Sequence, residues 1–279
     1  MTIQDMRIAV IGSGRMGEAL VRGLIRSGAE PQNLTVADPD SVRLEQVAAQ
    51  HKVMTTADNT AAARDADVVI LAVKPALIPA VAAGIAEAVG TAKPVISIAA
   101  GIPAAVIEAK LKTGARVIRV MPNSPAEKGA GMAAVSRGAH ATENDVAAAT
   151  AIFSAVGLAV VIDESLQNAA TALNGSGPAY FYLVIKALTD AGVELGLDYD
   201  TAYGLAHETM FGASRMLKYA KKTPAELIEA VRSPNGTTAA ALDSFAADGL
   251  EDIIARGVRA ASDRASAIER EVKEGEGLA

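Results

Sequence analysis

Two kinds of segment alternate along the first half of the chain. Short runs of β-branched residues recur, and alanine-rich segments of helical character separate them. Continuous apolar strands that alternate with helices are typical of a parallel sheet covered on both faces. The predicted strands are 7–11, 34–36, 67–73, 94–98 and 116–120, and the helices between them include 17–26, 41–50 and 78–89. Two further β-like stretches, 131–136 and 158–162, are expected to complete the sheet, one of them antiparallel.

The pattern changes after Asp163, where β-branched runs stop and apolar residues fall at helical spacing. Two prolines, Pro178 and Pro224, fit the first turns of helices, while Gly196 and Gly249 fit helix ends. We therefore predict an α/β domain with a doubly wound sheet over 1–163, followed by an all-helical domain over 164–279. The acidic segment 269–277 is expected to fray.

Composition restricts the kinds of function that this chain can have. Of its 279 residues 51% are hydrophobic and 21% are charged, which is a globular composition. The absence of cysteine excludes a disulfide scaffold, a thiolate zinc site and a cysteine nucleophile. Three scattered histidines argue against a histidine-rich metal site, so no metal is predicted. The formal net charge is −6 with no basic block, which argues against nucleic acid as a partner.

Nothing in the sequence predicts a membrane or export segment. The most apolar long window, 68–89, is interrupted by Lys74, Glu87 and two prolines, so it is not interpreted as a membrane span. The polar first residues do not resemble a signal peptide. A cytoplasmic protein is expected.

A GxGxxG fingerprint directly follows the first predicted strand and opens a helix, with Gly12, Gly14 and Gly17 as its glycines. The first glycine permits the tight turn, the second lets the backbone approach a pyrophosphate, and the third lets helix and strand pack closely. The helix N-terminus supplies unpaired N–H groups to the phosphates. This order indicates a Rossmann-type domain that binds NAD(P)H, and the intervening residues Ser13, Arg15 and Met16 belong to the candidate cofactor site.

Asp38 follows the second predicted strand. A carboxylate at this place would accept a hydrogen bond from the adenosine ribose 2′-OH and repel a 2′-phosphate, which favours NADH over NADPH. The alternative is an aspartate that caps a helix or a turn within Ala-Asp-Pro-Asp.

Ligands of open α/β sheets bind beyond the carboxyl ends of the strands, so the segments after the later strands are also candidates. Lys74 is either a catalytic ammonium or a solvated loop lysine. Asn123 is either a ligand of the nicotinamide or its ribose, or a turn asparagine. The candidate cofactor residues beyond the glycine loop and Asp38 are Asn59, Val73, Lys74, Ala99, Ala100, Gly101 and Asn123.

Two glycine-rich segments, 174–180 and 232–242, precede helices in the second half. Each presents backbone N–H groups and hydroxyls at a helix start, which suits a carboxylate ligand. Ordinary helix capping by serine and threonine is the alternative. The candidate substrate residues in these segments are Gly175, Ser176, Ser233, Gly236, Thr237 and Thr238.

Together, the motifs resemble those of the pyrroline-5-carboxylate reductase family over nearly the whole chain. The resemblance rests on 12–17, 72–75, 99–101, 119–123, 175–180 and 233–238, and the last two are the most specific. Three asparagines depart from the family pattern. Asn174 and Asn235 replace a small residue and a glycine, and Asn168 stands where the family usually has aspartate.

The resemblance implies hydride transfer from NAD(P)H to the imine carbon of 1-pyrroline-5-carboxylate, which gives L-proline, the last step of proline biosynthesis. It implies that the Thr238 hydroxyl bonds the ring nitrogen, that Ser233 and the N–H groups of 236–238 hold the carboxylate, and that Glu164 lines the substrate region. Family members use either cofactor. The helical domain is expected to form a homodimer that brings the partner's 233–238 loop to the substrate, and such dimers often assemble into larger rings.

Two other interpretations compete with this one. The β-hydroxyacid dehydrogenases share the layout but carry a catalytic lysine in a GxGxxxKxxxN pattern. Counted from Gly175, the lysine position here is Phe181 and the asparagine position is Ile185. The other alternative is a non-enzymatic dinucleotide-binding regulator, and the intact 233–238 loop argues against it because a sensor needs no imine pocket.

Overall fold

The computed structural model describes residues 3–278, and its first half folds around one eight-stranded sheet in the order β3-β2-β1-β4-β5-β6-β7-β8. Adjacent strands from β3 to β6 pair in parallel, β7 is antiparallel to β6, and β8 is parallel to β7. The strands are β1 (Ile8–Ile11), β2 (Leu34–Ala37), β3 (Met54–Thr56), β4 (Val68–Leu71), β5 (Pro94–Ser97), β6 (Arg116–Met121), β7 (Gly131–Arg137) and β8 (Gly157–Val161).

The sheet differs from the sequence prediction in two respects. Both final strands, β7 and β8, run against the first six, whereas only one antiparallel strand was expected. The edge strand β3 was not predicted, because its three residues are exposed or half-buried and form no apolar run. A doubly wound, mostly parallel sheet is confirmed.

Helices cover both faces of the sheet, and side chains from alternate strand positions enter two separate cores. Val10 and Ile70 point into one core, and their neighbours Ile11 and Leu71 point into the other. This alternation explains why the strands read as unbroken apolar runs. The helices of this part are α1 (Arg15–Arg26), α2 (Ser41–His51), α3 (Asn59–Asp65), α4 (Ile78–Val89), α5 (Ala104–Glu108), α6 (Glu143–Ser154) and α7 (Gln167–Ala170), and α7 continues as a π-helical turn over Thr171–Gly175.

The remainder is helical, as predicted, with α8 (Gly177–Glu194), α9 (Tyr199–Tyr219), α10 (Pro224–Val231), α11 (Thr237–Ala247) and α12 (Leu250–Gly275). Pro178 and Pro224 lie in first turns, and Gly196 and Gly249 follow helix ends with positive φ, which confirms these four assignments. No helix within residues 3–278 is both long enough and apolar enough to cross a membrane.

The chain forms two compact units, one of residues up to Ser176 together with those from Ala261 onward, and one of Gly177–Ala260. The end of α12 therefore belongs with the α/β unit, whereas the pattern change in the sequence lies at 163. The predicted division into 1–163 and 164–279 stays a prediction about domains.

The prediction that 269–277 frays is wrong. Helix α12 continues to Gly275, and Val272 and Leu278 pack against the core formed with α4 and α5. Glu276 pairs with Lys110 at 2.5 Å. Polar and acidic residues suggested a solvated tail, but the apolar positions Val272 and Leu278 are half-buried against the α/β unit.

Candidate active site

The glycine loop between β1 and α1 has the geometry that the fingerprint predicts. Gly12 has φ of +110°, and a Cβ there would lie 2.6 Å from the Ala72 carbonyl oxygen. A Cβ on Gly17 would lie 2.2 Å from the Gly12 carbonyl oxygen. Gly14 differs from both, because a Cβ on it would have nothing within 4 Å. The conformation of the loop therefore requires glycine at positions 12 and 17, whereas at position 14 there is open space.

That open space lies at the N-terminus of α1, which suits a dinucleotide pyrophosphate. Gly14 is the residue preceding the helix and has no side chain to cap it, so a ligand can approach the N-terminus of α1. Within the loop Ser13 is buried, Met16 packs against the core, and Arg15 pairs with Glu127 at 2.8 Å. The residues present therefore fit a bound NAD(P)H.

Asp38 lies against the glycine loop and does not cap the following helix. Its Oδ2 accepts hydrogen bonds from the Ser13 N–H and Oγ–H, both at 2.8 Å, and its Oδ1 accepts from the Asp40 N–H at 3.0 Å. Asp40 caps α2 instead, through the Arg43 N–H. Partial burial acts to raise the pKa of Asp38, but the hydrogen bonds from Ser13 and Asp40 outweigh it and lower the pKa. The side chain is an anion at the carboxyl end of β2.

Asn59 is the first residue of α3, beyond the carboxyl end of β3. Its Oδ1 is buried and has no hydrogen-bond partner. A buried acceptor of this kind carries a cost of about 1–3 kcal/mol unless a donor reaches it. The side chain lines a cavity of about 470 Å³ between α3 and α4. This unpaired oxygen is consistent with the predicted cofactor role.

The other candidate cofactor residues follow β4, β5 and β6 at the same edge of the sheet. Val73 is half-buried, and Lys74 is exposed at the start of a 3₁₀ turn. After β5, the Ala99 N–H approaches Ser97 Oγ at 3.3 Å, Ala100 follows it, and Gly101 has φ of +73°. The structure brings these segments together, and their contact with a cofactor stays a prediction.

Both the oxygen and the nitrogen of the Asn123 side-chain amide form hydrogen bonds within the protein. Its Oδ1 accepts from the Met132 N–H at 2.9 Å, and its Nδ2 donates to the Asn174 carbonyl at 3.3 Å. These bonds favour the turn interpretation over a nicotinamide ligand.

The first candidate substrate segment, 174–180, begins where the first stretch of the α/β unit ends, at Ser176. A Cβ on Gly175 would lie 2.3 Å from Met121 Cε, and the Ser176 N–H donates to the Thr171 carbonyl at 2.9 Å. The N–H of Ser176 is therefore occupied within the protein. Glu164 is also engaged, since its Oε1 accepts from the Ala104 N–H at 2.7 Å and lies 3.5 Å from Arg119 Nη1.

The second candidate segment is a tight turn between α10 and α11, in the helical unit. Asn235 has φ of +57°, and the Gly236 N–H donates to the Ser233 carbonyl at 3.0 Å. A Cβ on Gly236 would lie 2.2 Å from Ser233 Oγ. The N–H of Gly236 is therefore occupied within the turn, and the residue contributes only its small size to a ligand site. Thr237 and Thr238 are the first residues of α11, and the residue before them provides no side-chain cap. The turn offers the hydroxyl and helix N-terminus that a small carboxylate ligand requires.

Comparison with known proteins decides between the competing families. A family model described as pyrroline-5-carboxylate reductase dimerisation matches residues 164–268, and one described as NADP oxidoreductase coenzyme F420-dependent matches residues 7–101. The chain is 40% identical to the pyrroline-5-carboxylate reductase of Pseudomonas aeruginosa, over 94% of this chain and 96% of the relative. It is 38% identical to that of Methanosarcina acetivorans, over 95% and 99%. The chain belongs to the pyrroline-5-carboxylate reductase family.

Solved structures of pyrroline-5-carboxylate reductases agree with this assignment. The Coxiella burnetii enzyme superimposes with a TM-score of 0.91 at 34% identity, covering 94% of this chain and 98% of that one. The Plasmodium falciparum enzyme, solved with NADP bound, superimposes with a TM-score of 0.85 at 28% identity, covering 95% and 99%. A 3-hydroxyisobutyrate dehydrogenase gives a TM-score of 0.52 at 18% identity and shares the fold alone.

The structure explains the three asparagines that depart from the pyrroline-5-carboxylate reductase pattern. Asn168 Nδ2 donates to Glu269 Oε2 at 3.0 Å, which an aspartate would repel. Asn174 Nδ2 donates to two carbonyls, those of Met121 and Met132, at 2.8 and 3.1 Å. Asn235 takes the left-handed conformation that its side chain tolerates.

Sequence reasoning missed Arg119, whose side chain is 3% exposed. Its Nη1 lies 3.5 Å from Glu164 and 3.6 Å from Glu269, so it joins β6 to the 3₁₀ turn that precedes α7 and to the last third of α12. An arginine at an interior position of the predicted strand 116–120 was the available signal, because a buried guanidinium requires carboxylate partners.

Proposed function

We propose that this protein reduces 1-pyrroline-5-carboxylate to L-proline with NAD(P)H as the hydride donor. The observation that carries the proposal is the 233–238 turn, in which Ser233 Oγ lies 2.2 Å from the place that a Cβ on Gly236 would take. Such a turn keeps a serine hydroxyl beside the N-terminus of α11. Neither a hydroxyacid dehydrogenase nor a dinucleotide-binding regulator requires that arrangement.

Residues of the 233–238 turn bind the substrate and stabilise the proton on its ring nitrogen. Ser233 Oγ and the N–H groups that open α11 hold the carboxylate of the cyclic imine. Thr238 places its hydroxyl at the ring nitrogen and stabilises the proton there. A protonated imine is already electrophilic, so positioning contributes more than a strong base. When bound at the glycine loop, the nicotinamide supplies the hydride to the imine carbon.

NADH is the preferred cofactor in this proposal. Three of the about four acceptor positions of the Asp38 carboxylate are occupied by Ser13 and Asp40, which leaves about one for a ribose hydroxyl. A 2′-phosphate at the same place would face this anion and the neighbouring Asp40. Two like charges 4 Å apart repel by about 1 kcal/mol in water and by more in a partly closed site.

The protein works as a homodimer in which the 233–238 turn of one subunit completes the site of its partner, and the dimers can assemble into a ring. Large apolar side chains of α8 are exposed, among them Phe181 at 60% and Leu183 at 66%. Apolar surface of this extent marks an interface. The family model that matches this region describes dimerisation.

The decisive assay follows NADH and NADPH oxidation with and without 1-pyrroline-5-carboxylate. Substrate-dependent oxidation is expected, with higher kcat/KM for NADH. Oxidation of the cofactor with a β-hydroxyacid's keto form but not with the imine would contradict the reaction. Binding of the dinucleotide with no turnover of either substrate would favour the regulator.

Mixing two strongly impaired variants, assayed at a cofactor concentration below saturation, tests the shared site. Gly14→Val damages the cofactor side and Thr238→Ala damages the turn, so a heterodimer with a shared site retains one intact combination. Co-refolded in equal amounts, the mixture should recover about a quarter of the normal activity, since half of the dimers are mixed and each has one working site. No recovery in mixtures that contain heterodimers would place both residues in a site within one subunit.

A further inference from the structure

The side chain of Glu18 binds the one basic residue between positions 38 and 46, the segment that follows β2. Glu18 lies in the first turn of α1 and forms an ion pair with Nη2 of Arg43 on α2. Its other oxygen lies 3.3 Å from Nε2 of His51, which is buried in the last turn of α2. Partial burial acts to raise the pKa of Glu18, but His51 and Arg43 outweigh it and lower the pKa.

All three nitrogens of the Arg43 guanidinium have partners within the protein. Nε donates to the Ser13 carbonyl at 3.0 Å, Nη1 donates to Gln46 Oε1 at 3.3 Å, and Nη2 donates to Glu18. The side chain is nevertheless 33% exposed. A phosphate could therefore reach it, but only in competition with the Glu18 carboxylate.

The guanidinium lies beside the place where the ribose is expected. Ser13, whose carbonyl accepts from Arg43, also donates its N–H and hydroxyl to Asp38. An arginine near the end of the second strand is the group that commonly accommodates the 2′-phosphate of NADPH. Here that arginine is neutralised and turned toward the glycine loop.

We propose that Glu18 is a positioning residue that sets cofactor preference by keeping Arg43 from binding a 2′-phosphate. Asp38 favours the free ribose hydroxyl and repels a 2′-phosphate. Glu18 engages Arg43, the cation that would otherwise offset this repulsion. Without Glu18, Arg43 keeps its full charge and loses the strongest of its partners, so it can turn to a phosphate. This inference rests on the proposed use of NAD(P)H, but it does not depend on the imine substrate.

The test measures binding of adenosine 2′,5′-bisphosphate and of 5′-AMP to the full-length protein by calorimetry. These probes differ by the 2′-phosphate alone and require no turnover. In Glu18→Gln, and more strongly in Glu18→Ala, affinity for the bisphosphate relative to 5′-AMP should rise about tenfold, as expected for one hydrogen bond between charged groups. The Kd ratio of NADPH to NADH should fall in parallel.

Two further variants separate this role from general effects. Glu45→Gln removes the same charge from an exposed position on α2 and should leave the ratio unchanged. Adding Arg43→Gln to Glu18→Gln should abolish the gain, because the freed cation is gone. Folding is checked by the unfolding temperature of each variant.

Three results would overturn the proposal. One is an unchanged ratio in both Glu18 variants, including equal weakening of both probes, which would mean that the ion pair only supports the loop. Another is an equal gain in Glu45→Gln, which would indicate a general charge effect. The third is a loss of bisphosphate affinity in Arg43→Gln alone, which would show that Arg43 already binds the phosphate. An inactive protein in the imine assay that still binds both probes would contradict the reaction and leave this comparison intact.

Discussion

Replacing Gly14 should separate cofactor binding from folding. The residue has φ of −65° and ψ of 178°, a conformation open to any amino acid, and a Cβ there meets nothing within 4 Å. Gly14→Val should therefore change the unfolding temperature by no more than about 2 °C, since roughly 0.5 kcal/mol is the usual effect at such a site. The new side chain fills the space at the N-terminus of α1 where a pyrophosphate would approach.

The expected loss of affinity follows from the hydrogen bonds that the side chain blocks. Displacing the phosphates breaks one or more bonds from backbone N–H groups to a charged acceptor, at about 1.5–3 kcal/mol each. The Kd for NADH should therefore rise about tenfold to a hundredfold. Calorimetric titration with NADH and NADPH, beside thermal unfolding of the free protein, measures both quantities.

Gly17→Ala is the matched control, with the opposite expectation. Its Cβ would lie 2.2 Å from the Gly12 carbonyl oxygen, against an ordinary contact of about 3.5 Å. Overpacking of this kind costs about 2 kcal/mol, so the unfolding temperature should fall by roughly 4–8 °C. Normal NADH affinity in Gly14→Val would refute the assigned cofactor site. An equal loss of stability in both variants would contradict the inference that a side chain fits at position 14 but not at position 17.

Four other predictions follow from single side chains. Thr238→Ala should lower kcat/KM by about a hundredfold with little change in NADH affinity, and near-normal turnover would exclude its hydroxyl from the proton path. Asp38→Ser should narrow or invert the ratio of kcat/KM for NADH over NADPH, and an unchanged ratio would mean that Asp38 does not reach the ribose. Arg119→Met should lower the free energy of unfolding by about 3 kcal/mol, because two carboxylates lose a buried partner; urea unfolding measures this, and an unchanged midpoint would contradict it. The hydrogen bond from Arg7 lowers the pKa of Asp67, so its stabilisation is present above its ordinary pKa of about 3.9 and is lost as pH falls through the lowered value. Asp67→Asn should flatten the acid side of the stability profile, and an unaltered slope would count against this pair.

Local sequence determined most of the fold and the location of the candidate cofactor site. Strands buried on both faces read as apolar runs because both of their faces meet helices, and glycine marks the turns where a Cβ would clash. The fingerprint at Gly12, Gly14 and Gly17 and the turn at Ser233–Thr238 are short segments whose own residues determine their conformation. Their positions were therefore readable before any tertiary contact was known.

Only the tertiary structure decided which polar groups face which partner. From the sequence, Asp38 could be a ribose ligand or could cap a helix or a turn, and only the fold shows that its Oδ2 bonds Ser13, which is distant in sequence, while its Oδ1 accepts from Asp40 within the turn. The pairing of Glu18 with Arg43 and the burial of Arg119 depend in the same way on elements far apart along the chain. The composition at the end of α12 suggests a solvated segment, yet Val272 is half-buried against a core that includes residues of α4 and α5, more than a hundred residues earlier in the sequence. Hydrophobic periodicity indicates which secondary structure a segment forms and which of its faces is buried. The partner of a charged group depends instead on which other segments the fold places next to it.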